Sequence, residues 1–65
     1  MRIYTINYTA GVDYPYSIHL GTDLFCSCVD WARTYKMAVA KAKALAGANG
    51  KVYYTEGLFQ PKQAI

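Results

Sequence analysis

A chain of 65 residues holds one small domain, and its 54% hydrophobic and 15% aromatic content excludes the charge-rich composition of a disordered segment. At this size a fold buries only about 60% of the surface its unfolded chain exposes, so dense packing, disulfides, a metal or self-association must support it. The net charge of +3 is mildly basic, which admits an acidic protein or a nucleic acid as partner and requires neither.

The first segment, RIYTINYT, sets Tyr4, Ile6 and Tyr8 against Ile3, Thr5 and Asn7. This alternation predicts a strand with one buried face. After a turn at AGVD, YPYSIHLG alternates again, with Tyr14, Tyr16, Ile18 and Leu20 inward and Pro15, Ser17 and His19 outward. Pro15 donates no ladder hydrogen bond, so this strand lies at an edge or begins near Pro15. The two segments form a hairpin with a tyrosine-rich inner face.

The period then changes. Cys28, Ala32, Tyr35, Val39, Ala42 and Ala46 recur in steps of four and three, and Trp31, Ala38 and Leu45 widen the stripe. That spacing predicts a helix from Cys28 onward. Ser27 and Asp30 form a near capping box at its start, Asp30 suits the positive end of the helix dipole, and Gly47 is its natural stop. KVYYTEG reads as a third strand, with Val52 and Tyr54 inward and Tyr53 and Thr55 outward. The tail, residues 58–65, begins with Leu58 and Phe59, which cover an end of the core. The expected fold is a single α+β domain over residues 1–65, ordered β-β-α-β. Its three-stranded antiparallel sheet has the order 2-1-3 and carries one helix on one face.

Chemistry-bearing residues are sparse. Cys26 and Cys28 flank the expected helix start and read as small apolar residues, Cys26 as a staple against the first turns. A disulfide between them is awkward, because side chains two apart in extended chain do not converge on one another at bridging distance. His19 is the sole histidine, too few ligands stand at zinc spacing, and no cofactor is implied. Asp13, Asp23, Asp30 and Glu56 form no periodic pair, and the glycines match no phosphate-binding loop. With His19 on a solvated strand face, the chain reads as non-enzymatic.

The helix face opposite the core stripe carries Arg33, Met37, Ala40 and Ala44, bordered by Lys36 and Lys43 on one side and Lys41 on the other. Two readings stand side by side: a solvated helix of good helix formers, or a smooth docking face with an adaptable methionine and a basic rim. The candidate partner-binding residues are therefore Arg33, Lys36, Met37, Lys41 and Lys43. The leading partner is a larger protein or protein complex. A nucleic acid on the same basic face is the alternative, and a homo-oligomer through an edge strand or the tail is a third. Nucleic-acid stacking on the sheet is less favoured, since Tyr53 is the main outward aromatic, with His19 nearby. No apolar run reaches membrane-spanning length, and MRIYTINY lacks the apolar block of a secretory signal, so the expected location is cytoplasmic, without membrane contact.

The succession RIYTINYT, a second alternating strand, SCVDWARTYKMAVAKAKALAG and GKVYY, over about residues 2 to 56, resembles very small phage and mobile-element proteins. Some of these are type I anti-CRISPR proteins, in which a curved sheet wraps one helix. The resemblance implies a phage-encoded inhibitor that occupies a surface of a host defence complex in the host cytoplasm. It rests on the order of elements and transfers no functional residue.

Overall fold

Alternating β-branched and aromatic residues extend three segments as the sequence predicts: β1 at Ile3–Tyr8, β2 at Tyr16–Leu20 and a later strand at Lys51–Thr55. The computed structural model describes residues 2–22, 24, 27–57 and 60–65. The packing expected of Cys26, Leu58 and Phe59 lies outside those residues. Between β2 and the helix stands a strand the sequence reading missed, β3 at Cys28–Ala32. The helix α1 runs over Tyr35–Ala46, β4 is Lys51–Thr55, and a two-residue β5 at Gln63–Ala64 closes the order. The fold is α+β, with one helix and a mixed five-stranded sheet ordered β3-β2-β1-β4-β5.

The missed strand has a simple cause. The step from Cys28 to Ala32 is four residues, which keeps a side chain on one face at period 3.6 and at period two alike. Val29 and Trp31 discriminate between the two: both are strand formers and both are exposed. The helix cap is consequently Thr34, not the Ser27–Asp30 box. Thr34 sits in extended conformation, and its hydroxyl accepts the Met37 amide at 3.2 Å. A threonine cap of this kind contributes about 1 kcal/mol. Ser27 precedes β3, and Asp30 belongs to β3.

That one strand also reverses the polarity expected downstream. β2 runs antiparallel to β1, and β3 antiparallel to β2. The chain therefore enters α1 from a strand parallel to β1, and the helix returns it to β4, which pairs parallel to β1 from Ile3↔Lys51 to Asn7↔Thr55. The neighbours β2-β1-β4 keep the expected 2-1-3 order, but the β1–β4 pair is parallel, and β3 and β5 form the two edges. Pro15 immediately precedes β2, which is an inner strand; the Pro15 carbonyl accepts the Thr9 amide at 2.7 Å.

The helix lies across β1, β2, β3 and β4. Its inward positions are Ala38, Ala42 and Ala46, packed with Tyr4, Ile6, Ile18, Ala32 and Val52. Trp31, expected in this stripe, is 53% exposed instead. At the N-terminal end of α1, Tyr35 stands edge-on between Tyr16 at 6.1 Å and Tyr54 at 5.3 Å, and Tyr16 meets Tyr8 at 5.1 Å. Tilted and edge-to-face pairs of this sort each add about 0.5–1.5 kcal/mol beyond burial, so the row pins the helix start over three strands. At the other end Gly47 adopts φ +78°, and a Cβ at Gly50 would collide with the Ala46 carbonyl. Both positions need glycine for the chain to turn directly into β4.

The second sheet face is also covered, contrary to the solvated face expected of it. Thr5, His19 and Thr55 are buried there, and the threonine hydroxyls reach loop carbonyls: Thr5 donates to Gly21 at 2.7 Å, and Thr55 to Gly57 at 3.0 Å.

Two measurements test this packing. Ala42→Leu should lower unfolding stability by about 1–3 kcal/mol in a denaturant titration, because the added atoms meet a sheet already in contact. Burial, then the Glu56 charge and hydrogen bond, push the Tyr54 hydroxyl from 10.0 up to about 12. The folded chain thus holds this proton more tightly than the unfolded chain. Its contribution is whole below pH 10 and is lost as pH rises toward 12. Tyr54→Phe should flatten that alkaline loss relative to the parent chain.

Candidate binding surface

The five candidate residues do not form one patch. Lys36, Met37 and Lys43 are exposed on the outer side of α1 with Ala40 and Ala44, as the helical spacing requires. Arg33 lies in the bend before Thr34 rather than on the helix. Its guanidinium sits 5.0 Å over the Tyr14 ring, and Nη2 donates to the Tyr14 hydroxyl at 3.3 Å. Lys41 turns toward the sheet edge: Nζ donates to the Trp31 carbonyl at 2.8 Å and lies 3.6 Å from the Asp30 carboxylate. The same carboxylate accepts the Trp31 amide at 2.8 Å.

Arg33 and Lys41 thereby bring in two residues that the sequence reading had turned inward. Tyr14 is 49% exposed and Trp31 53% exposed, and both line a cleft of about 420 Å³ with Val12, Asp13, Pro15 and Ser17. Tyr14 escapes its expected inward position because β2 begins two residues later. Trp31 escapes because it belongs to a strand. Met37, 48% exposed, stands one turn before Lys41 on the same side of α1. An aromatic–cationic corner thus joins the β1–β2 loop, the β3 edge and the start of the helix. The signal available in the sequence was the pairing of Trp31 with Val29 as a two-residue period.

The Arg33 hydrogen bond and then its charge hold the Tyr14 hydroxyl below the usual tyrosine value. The Asp30–Lys41 pair is solvent-exposed, so its ionic term is modest and falls with salt. Its main effect is geometric. The Trp31 amide and carbonyl, on the edge strand β3, are both occupied by side chains, which opposes the addition of another strand there.

His19 is not on a solvated face: it is 6% exposed, between Ser17 and Ser27. The Ser17 hydroxyl lies 2.8 Å from Nε2, and the Ser27 hydroxyl 3.4 Å from Nδ1. A serine in contact with an imidazole is also how acyl-transfer sites begin. Here the contacts satisfy a buried ring within the polar layer, which accounts for them fully. Cys28 carries a free thiol and its Sγ approaches the Asp30 carbonyl at 3.4 Å. Among the described residues no three His, Cys, Asp or Glu side chains gather as a metal site, and no helix is long and apolar enough to cross a membrane.

Comparison of the chain with protein-family models, with curated proteins and with solved structures returns no match.

The Arg33–Tyr14 contact is open to direct measurement. Arg33→Ala should move the Tyr14 ionisation back up toward 10.0, read from the Tyr14 ring signals in a pH titration followed by nuclear magnetic resonance. An unchanged titration curve would mean that the two side chains do not meet in solution.

Proposed function

We infer that the protein is a small non-enzymatic binding protein that acts by occupying a surface of a larger protein. In the class suggested by its layout it is a phage-encoded inhibitor of a host defence complex, resembling anti-CRISPR proteins. The observation that carries the reading is the corner itself: Trp31, Tyr14 and Met37 are each about half exposed, Tyr14 and Trp31 line one cleft, and Arg33 stands over the Tyr14 ring. Tryptophan, tyrosine and arginine dominate the energetics of protein interfaces, and methionine adapts to a partner's contours. None of these side chains belongs to the core cluster, so their exposed apolar area is left available for a partner. Lys36 and Lys43 add positive charge along the adjoining helix face and favour an acidic partner by steering encounter. A scaffold fixed by a sheet and one helix loses little conformational entropy on docking.

The second reading, a nucleic-acid-binding module, draws on the same corner. Exposed aromatics beside cations suit single-stranded nucleic acid, whose bases stack and whose phosphates pair with Arg and Lys. Asp13 in the cleft and Asp30 beside Lys41 oppose phosphate contact, which ranks this reading second.

A tagged pull-down from bacterial lysate, with and without nuclease, separates the two. A protein complex retained after nuclease is expected from the parent chain and should be lost with Trp31→Ala and with Arg33→Glu/Lys36→Glu. These positions hold no core contact, so stability should change by about 0.5 kcal/mol or less in the charge-reversed variant. Binding that survives both variants would remove the corner as the site. A band shift at low salt that fades steeply as salt rises would transfer the function to nucleic acid.

A further inference from the structure

We propose that the cleft at the C-terminal end of α1 is a binding site for a small amphipathic anion, an apolar body bearing a sulfonate, carboxylate or phosphate head. The cleft measures about 530 Å³, within the range of small-molecule sites. Ala46, Val52, Ala64 and Ile65 supply apolar lining, and Lys43 and Lys51 stand at it as cations. Neither ammonium has an ion-pair or hydrogen-bond partner among the described residues. The described side-chain carboxylates are engaged or distant: Asp30 lies beside Lys41, Glu56 accepts the Tyr54 hydroxyl past the far end of β4, and Asp13 lies in the β1–β2 loop.

A lysine in the last turn of a helix is ordinary compensation of the helix dipole. That accounts for Lys43 and not for Lys51, which begins β4. The helix end is moreover already served. The Gly47 amide donates to the Lys43 carbonyl at 3.0 Å, and Arg2 Nη1 donates to the Leu45 carbonyl at 3.3 Å. Arg2 thus brings a third cation to this end of the molecule, next to Lys51, whose amide bonds the Arg2 carbonyl at 2.8 Å. The charged side chains at this apolar lining are both cationic, which is complementary to a molecule with an anionic head and an apolar body. The wall is preformed, since Gly47 and Gly50 fix the turn that makes it. An anion entering here would gain charge neutralisation and apolar burial together.

The site is at the opposite end of α1 from Arg33 and does not rest on the proposed function. The probe is anilinonaphthalene sulfonate, titrated into the full chain with fluorescence as the readout, and with amide chemical shifts mapping the contact. A saturable one-to-one isotherm is expected, with shifts centred on Lys43, Ala46, Gly47 and Lys51. Lys43→Gln/Lys51→Gln should weaken it about tenfold or more, and Ala64→Trp should abolish it by filling the lining with the charges intact. Circular dichroism melts of each variant check that the fold persists. The neutral analogue phenylnaphthylamine should bind far more weakly. Absence of saturation, equal affinity in the glutamine variant, equal binding of the neutral analogue, or equal weakening by Arg33→Glu/Lys36→Glu would each overturn the proposal. So would sedimentation that finds the cleft filled by a second copy of the chain.

Discussion

The closeness of one helix to one sheet governs the rest of this molecule. The inward positions of α1 are Ala38, Ala42 and Ala46, all buried, and alanine allows a helix backbone to settle directly on the strands below. Ile6 and Ile18, the largest fully buried apolar side chains among the described residues, fill the space that the alanines leave. With so few bulky groups in the core, the tyrosine row supplies area that aliphatic packing does not. Tyr35 lies between Tyr16 and Tyr54, so the start of the helix is held by rings while its end is held by small residues and a glycine turn. A domain of 65 residues has little hydrophobic surplus, and this division of labour is one way to reach native density with it.

The opposite face of the sheet is solved by different means. Thr5, His19 and Thr55 are buried, yet each has a polar partner: loop carbonyls for the threonines, serine hydroxyls for the imidazole. A polar layer is tolerable under a sheet only when nearly every group is satisfied. Among the described residues Asn7 Oδ1 is the exception, buried without a hydrogen-bond partner, although its amide nitrogen reaches the Thr9 hydroxyl at 3.4 Å. The loops that cover this face are therefore part of the fold and not only connections. Their carbonyls do the work that a second helix would do in a larger α/β protein.

These two faces explain what could be read from the residues. Strands β1, β2 and β4 were legible because alternation places Tyr4, Ile6, Ile18 and Val52 toward the helix, and burial follows that parity. The helix was legible from Tyr35 to Ala46 because its small residues recur at 3.6. Cys28 to Ala32 was not, because a four-residue step obeys both periods; from that one strand followed the wrong cap and the wrong polarity of β4. The burial of His19 was illegible for another reason. Alternation separates two faces, but it does not say whether the second is covered, and here distant loops cover it. For the same reason the candidate surface was half legible: Lys36, Met37 and Lys43 follow from helical spacing, whereas Tyr14 and Trp31 depend on where strands begin and end.

The edges of the sheet then determine how this chain can meet other molecules. An open strand offers its main chain to any other strand, but β3 has its Trp31 amide bound by Asp30 and its carbonyl bound by Lys41. The other edge is β5, which is only two residues long and offers little main chain to a further strand. Main-chain pairing is thereby discouraged at Trp31 and at the short β5. The side chains offered for contact are distributed unevenly. Aromatic and methionine surface collects at the start of α1, and Lys43 and Lys51 stand at its end. The side chains that close β3 also hold Trp31 at the border of its cleft, so one small set of bonds both discourages strand addition and presents a half-exposed tryptophan to a partner.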